Sequence, residues 1–524
     1  FGSSISGAQS FRSRPAFPVG GSAKPMAAMK GSKTNAKDLT FGVPDTAPLT
    51  DLSAREISIT LFMIYTVSFF EGADMQLLPT SFRALEADLG LSPTTLAASA
   101  LMQSLTCASF SVFWGVLLDN GILSAQSVLF GGCTGWGVVT LLLATINDTS
   151  WIMVLRCFNG IALATLSPTT QTLIAELTPQ QERGRAYSWS GFSMAMGCMT
   201  TAMVTTCISQ TRLFGFQGWR VAFAGVGLLS IVLGYFVKKF VKRPNDFLDH
   251  SSSSSSGMSF ANELRTVLSF FEVWTFSVIV VQGTFACLPW TAMSFGTMFL
   301  QYSSVPDLTA GCISGLMLFT ASFGALLGGY ISDALTKLSR FHGRPFTAQL
   351  SVGISVPTTL LYYHYVPHSP DGIPYWFVLV MVFGLCSPWC DHGVNRPMLS
   401  EVVAPQHRAR ILGVLCATAG TFGSLGGPLV ALVSEAFFGY KTQHVPINQV
   451  PEDIRKMNAN ALGNGLTLVM CVPWTVCGIF YTALHWTYEA DYVALQKKQE
   501  QQLPPDEDEE FLLRPPFWTG GSPC

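Results

Sequence analysis

Stretches of about 20 apolar residues recur along this chain from residue 57 to residue 487, and most of its charge falls in the breaks between them. A helix rises 1.5 Å per residue, so about 20 residues cross a hydrocarbon layer of about 30 Å. Twelve windows meet that length: 57–78, 94–118, 125–146, 151–176, 186–207, 219–237, 273–301, 309–332, 347–366, 375–398, 409–433 and 462–487. None alternates apolar and polar residues as a barrel strand does, and lipid requires each backbone polar group to be satisfied within its own segment. The expected fold is therefore an all-α polytopic membrane protein with twelve transmembrane helices. Pro168, Pro289, Pro357, Pro388, Pro428 and Pro473 fall inside the windows and predict kinks.

Only 12% of the 524 residues are charged, against 49% hydrophobic, where soluble domains carry about 25% charge. That balance excludes a soluble enzyme and a disordered scaffold. A net charge of −2 gives no basic footprint for nucleic acid. The 13 cysteines lie mostly within apolar runs and form no CxxC pair with a histidine partner, so no metal site, cofactor or disulfide framework is expected. No HExxH, GxSxG or phosphate-cradling glycine loop stands near a span end, so the chain reads as no enzyme.

Cytosolic loops of membrane proteins hold the excess of Lys and Arg. With the N-terminus inside, 23 of the 30 basic residues fall on the cytosolic side and six outside, leaving Arg156 within a span. The chain is expected N-in/C-in. Its longest internal polar break passes through Lys238, Lys239, Lys242, Arg243 and the serine tract Ser251 to Ser256, and reads as a flexible linker. Five regions follow: a disordered or targeting segment (1–56), a six-helix half (57–237), a cytosolic linker (238–272), a second six-helix half (273–487) and an acidic tail (488–524). The halves repeat. Gly115-Val-Leu-Leu-Asp119 is matched by Gly329-Tyr-Ile-Ser-Asp333, and Gln181-Glu182-Arg183-Gly184-Arg185 by Gln406-His407-Arg408-Ala409-Arg410. Glu176 and Glu401 each stand five residues before the repeated glutamine. Six-helix repeats in parallel are the mark of one transporter architecture.

On these residues the chain resembles the major facilitator superfamily over roughly residues 55–490, with Arg156-Cys-Phe-Asn-Gly160, Pro168 and Gly218-Trp219-Arg220 also at signature positions. Glu71 to Pro79, Gln282 to Trp290 and Asn395-Arg396-Pro397 resemble an uncharacterised plant and algal branch, similar to the Spinster-type transporters of lipids and other organic solutes. The resemblance implies two pseudo-symmetric halves, alternating access and a central site. Two departures stand out. No basic residue follows Asp119, where the second copy keeps Lys337 and Arg340, and Ile161-Ala-Leu-Ala-Thr165 lacks the acidic residue of Spinster-type proteins. The second departure speaks against a sphingolipid-type substrate.

Ionisable groups within spans need a partner or a wet cavity. Glu71 and Asp74 lie one turn apart on span one. Glu71 is roughly 21 Å in from Ile57, and Arg156 about 8 Å in from Trp151 on the other side, so the three share a depth. Arg156 is expected to pair with Glu71 or Asp74 at a substrate or proton site, or to brace spans one and four as a static ion pair. Span ten carries Asp391, His392, Asn395 and Arg396, expected to line the same cavity with Gln282 and Trp290 of span seven. Asp119, Arg183, Arg185, Asp333, Arg408 and Arg410 are expected to latch the halves on the cytosolic face, as the resemblance implies, or to hold orientation only.

The expected function is secondary transport of a small organic or amphipathic solute, with proton coupling open, and the expected partners are that solute or a lipid-like molecule and membrane lipids. The alternative is a non-transporting membrane subunit or sensor that binds a protein partner. Residues 1–37 hold six basic residues and no Asp or Glu, a composition like an organellar or plastid transit segment. Asp508-Glu-Glu-Phe-Leu-Leu513 resembles an acidic dileucine signal for endolysosomal membranes, and a plasma-membrane location stays open. Asn147-Asp-Thr149 is a glycosylation triplet in a short loop.

Overall fold

The computed structural model describes residues 52–119, 123–179, 183–243, 268–403 and 408–500. Helix occupies all twelve expected windows: α1 (Ala54–Leu89), α2 (Pro93–Asp119), α3 (Ala125–Leu143), α4 (Thr149–Leu177), α5 (Arg183–Ser209), α6 (Gly218–Phe240), α7 (Trp274–Tyr302), α8 (Asp307–Leu338), α9 (343–365), α10 (373–402), α11 (408–436) and α12 (Glu452–Glu500). Among the described residues ten of these are long and apolar enough to cross a membrane by length and composition. The exceptions, α9 and α10, are the ones interrupted by π-helical turns at 361–365 and 391–395. Of the expected segments 1–56, 238–272 and 488–524, residues 1–51, 244–267 and 501–524 lie outside the described residues, and 488–500 continue α12 as helix.

Proline accounts for the breaks. It has no N–H for the carbonyl four residues earlier. Ala164 and Ser424 stand four residues before Pro168 and Pro428, and α4 and α11 each open into a two-residue turn there. Pro289 follows a break at Cys287, and Pro388 sits in the turn at 387–388. Pro473 lies within α12, which stays helical throughout.

The first helix shows where hydropathy misleads. Ser53 and Glu56 form a capping box, with the Glu56 N–H donating to Ser53 Oγ and the Ser53 N–H donating to Glu56 Oε2 at 2.9 Å. The helix then runs eleven residues past its expected end at 78, through Pro79, to a left-handed Gly90. Arg83 and Glu86 lower the apolar average over that extension, yet both are fully buried. Between α5 and α6 the chain turns through a two-stranded hairpin, β1 (Arg212–Leu213) and β2 (Phe216–Gln217), with positive φ at Phe214 and Gly215.

Small residues set the closest helix contacts, as expected where lipid gives no hydrophobic drive between helices. A methyl group on Gly197 of α5 would stand 1.8 Å from the Phe69 carbonyl oxygen of α1, and one on Gly72 2.0 Å from that of Met194. Large apolar side chains such as Phe62, Tyr235, Trp274 and Ile479 stay exposed on the perimeter, where acyl chains would cover them. The described residues form one compact unit, and the two six-helix sets meet along α5/α8 and α2/α11. Twelve crossings return the chain to its starting face, called here the terminal face.

Gly197→Val is expected to abolish recovery of monodisperse protein in size-exclusion chromatography. Gly191→Val, where an added side chain meets open space, is expected to elute at wild-type yield.

Candidate functional site

A cavity of about 800 Å³ lies between the two sets, within the range that encloses a drug-sized molecule. One wall comes from α1 and α2, with Glu71, Asp74, Gln76, Gln103 and Ser104. The other comes mainly from α7, α9, α10 and α11, with Trp290, Tyr362, Tyr363 and Phe383, and thioethers line both sides at Met75, Met194, Met293, Met317 and Met470. Trp290 and Phe383 meet edge to face at 6.5 Å.

The expected charges of α1 and α4 come together, with an intermediary. Asp74 is buried; its Oδ1 accepts from the Trp136 indole N–H at 2.9 Å and its Oδ2 from Gln103 Nε2 at 2.8 Å. The same Gln103 presents its Oε1 to an Arg156 guanidinium N–H at 2.6 Å. The direct ion pair of Arg156 with Glu71 or Asp74 expected from their depth is replaced by this amide relay, because Gln103 on α2 occupies the space between α1 and α4. Arg156 stacks toward the Phe223 ring at 5.7 Å and does not line the cavity. Nothing in the sequence set Gln103 apart except that it is the one amide in an apolar window; Trp136 gave no signal.

In the second cluster Asp391, Asn395 and Arg396 do not line the cavity. Asp391 pairs with Arg396 at 2.9 Å, and Asn395 accepts from the Tyr481 hydroxyl at 3.2 Å. A regular helix sets Asp391 and Arg396 on adjacent faces, but the π-helical turn brings residues five apart into register. Gln282 is buried in α7 away from the cavity, whereas Trp290 lines it. The His392 side chain lies outside the described residues, as do those of Asp119, Arg408 and Arg410. Of the other expected latch residues, Arg183 donates to the Thr178 carbonyl at 3.2 Å, while Arg185 and Asp333 are exposed.

The repeat-related glutamates, by contrast, are bound within their own sets. Glu176 takes two bonds from Arg243, at 2.8 and 2.5 Å, and Glu401 takes one from Arg344 at 2.7 Å and another from the Tyr488 hydroxyl. On the face opposite the termini the pattern reverses, and the sets are tied to each other. Glu86 of α1 accepts from Tyr302 of α7 at 2.8 Å, from Tyr440 at 2.7 Å and from the Gln443 N–H at 2.9 Å. Arg83 completes the cluster, 3.4 Å from Glu86 and bonded to the Val445 carbonyl at 2.5 Å. Burial, with Glu86 alongside, pushes the Tyr440 phenol far above its usual range, so it stays a donor. Thr94 of α2 adds two bonds to Glu435 of α11. Arg83 and Glu86 both sit beyond the apolar window 57–78 of the first span, so hydropathy gives no sign of their burial.

An integral multi-pass membrane protein with a solute-sized cavity between paired six-helix sets, sealed across one face, is the class this geometry defines. The Major Facilitator Superfamily model matches residues 64–428, and the chain belongs to that family. It is 24% identical over 355 residues to the Probable anion transporter 3, chloroplastic, of Arabidopsis thaliana, covering 64% of each chain; it thus spans less than two thirds of that relative's length. It is 23% identical over 411 residues to Protein spinster homolog 1 of Xenopus laevis, covering 75% of each. A crystal structure of a bacterial homolog to the human lysosomal transporter Spinster, inward-facing and unoccupied, superposes with a TM-score of 0.69 at 16% identity, covering 84% of this chain and 99% of that one. That likeness is one of fold.

Removing one partner of a buried ion pair costs about 3–5 kcal/mol. Glu86→Ala is therefore expected to open the sealed face: a cysteine introduced at Thr442 gains reactivity toward a membrane-impermeant maleimide, read by mass spectrometry of its peptide. Unchanged reactivity contradicts the seal.

Proposed function

We propose that this chain is a secondary transporter that moves a small organic or amphipathic solute by alternating access. The observation that carries the reading is a cavity walled by both six-helix sets and closed on one face by bonds that cross between them. Such a seal must break for the cavity to open there, while the bonds of Glu176 and Glu401 lie within single sets and survive the rocking of one set against the other. A partner-binding membrane subunit has no need of a buried carboxylate relay, and charges held within spans are costly.

Glu71 and Asp74 are the proposed solute and proton groups, with Gln103 and Arg156 as their positioning relay and Trp290 on the facing wall. The cluster of Asp391, His392, Asn395 and Arg396, with Gln282, is proposed to stiffen the second set. Asp119, Arg183, Arg185, Asp333, Arg408 and Arg410 are proposed to latch the terminal face in the opposite state. The chloroplastic relative, together with the basic, acid-free composition of residues 1–37, favours a plastid envelope over an endolysosomal membrane.

The test is uptake by sealed vesicles carrying the protein, incubated with a metabolite and lipid extract and read by untargeted mass spectrometry. A compound accumulated by the wild type and not by Arg156→Ala supports transport; no difference from folded protein contradicts it. A hydrogen bond to a charged group is worth about 1.5–3 kcal/mol, so Gln103→Leu is expected to slow initial uptake roughly 10–100-fold. Asp74→Asn is expected to leave downhill flux while removing accumulation driven by an imposed pH gradient. Wild-type uptake that ignores the gradient rules proton coupling out.

A further inference from the structure

The cavity's charge is one-sided. Glu71 and Asp74 line it, and among the described residues no Lys, Arg or His does. Arg156, bonded to Gln103 and set against Phe223, is not among the residues that line it. Both Asp74 oxygens are engaged by Trp136 and Gln103, whereas Glu71 lines the cavity with no hydrogen-bond or ion-pair partner among the described residues. Among the described residues a negatively charged solute would meet two carboxylates and no compensating cation.

The hydrogen-bonding sense of the walls agrees independently of those carboxylates. Ser111, Thr291, Thr358, Thr359 and Ser424 each donate their hydroxyl hydrogen to a helix carbonyl, which leaves lone pairs toward the cavity. Pro79 has no N–H to offer the carbonyl of Met75, another lining residue. At these positions the walls offer acceptors. Opposite the carboxylates stand the rings of Trp290, Tyr362, Tyr363 and Phe383, whose faces attract a cation and whose area receives an apolar body.

We infer that the occupant is an organic cation, an amine or quaternary ammonium ion on an apolar or aromatic body, with its charge at Glu71 and its body against the aromatic wall. The inference rests on the reading of this cavity as the solute site of a transporter. It sets this chain apart from the relative named for anion transport, since Arg156, the arginine bonded through Gln103 to Asp74, does not line the cavity.

The test measures equilibrium binding to the full-length chain in detergent with three size-matched probes: N-methyl-phenylpyridinium, neutral phenylpyridine and biphenyl carboxylate. Uptake of the same probes into proteoliposomes is measured separately. The cation is expected to bind at least about 10-fold tighter than the carboxylate, a difference of about 1.4 kcal/mol. Glu71→Gln is expected to remove that preference while leaving phenylpyridine binding unchanged, and Glu71→Asp to retain it. The comparison among probes on the wild type stands even if a variant fails to fold. Equal or tighter binding of the carboxylate, or no binding of the cation, overturns the inference. Cation-selective binding without uptake of any probe leaves the charge preference standing and removes the transport reading. Carboxylate-selective binding with uptake does the reverse.

Discussion

A carboxylate inside a helical bundle is the costliest group this chain buries, and the arrangement around Asp74 follows from that cost. Desolvating an ion is offset only by hydrogen bonds of good geometry and a nearby opposite charge. Trp136 and Gln103 supply the bonds, and Arg156 supplies the charge at one remove. Four helices, α1 to α4, are thereby tied at one depth. Because Gln103 carries both ends of the relay, Arg156 stays within the first set and the cavity keeps a negative wall.

Among the described residues the second set meets that wall with aromatic and thioether surface and no charge. Two of its ion pairs, Arg344 with Glu401 and Arg396 with Asp391, lie outside the cavity lining. Charge crosses between the sets on the face opposite the termini instead, where Arg83 and Glu86 of α1 are enclosed by Tyr302, Tyr440 and the backbone at 443–445. Opening this face would leave the pair together on α1 but strip Glu86 of its bonds from Tyr302, Tyr440 and the Gln443 N–H, and Arg83 of the Val445 carbonyl, so buried charge would lose its partners at once.

The spans were legible because hydropathy over about 20 residues measures what lipid selects. The same averaging hid the outer eleven residues of α1, where Arg83 and Glu86 read as loop and are in fact core. Helical rise placed Glu71, Asp74 and Arg156 at one depth, but depth says nothing about which side chain of a third helix stands between them. Gln103 is chemically inconspicuous in sequence and central in space. In α10 the regular 3.6-residue period misjudged the faces, since a π-helical turn shifts the register by a residue. The repeat-related glutamates were visible as a pair, but their partners differ, Arg243 in one half and Arg344 with Tyr488 in the other. Repeats preserve position better than contacts.

Alternating access is the claim on which the functional account stands, and a distance across the sealed face tests it most directly. Phe214 of the β1–β2 hairpin and Phe437 at the end of α11 are both highly exposed on that face and belong to different six-helix sets. Spin labels at Phe214→Cys and Phe437→Cys, with the exposed Cys416 replaced by serine, report their separation by pulsed electron resonance in lipid nanodiscs. The account predicts two resolved distances, with Glu86→Gln raising the longer population. A single short distance in the wild type that Glu86→Gln leaves unchanged would contradict it and leave a rigid membrane scaffold in its place.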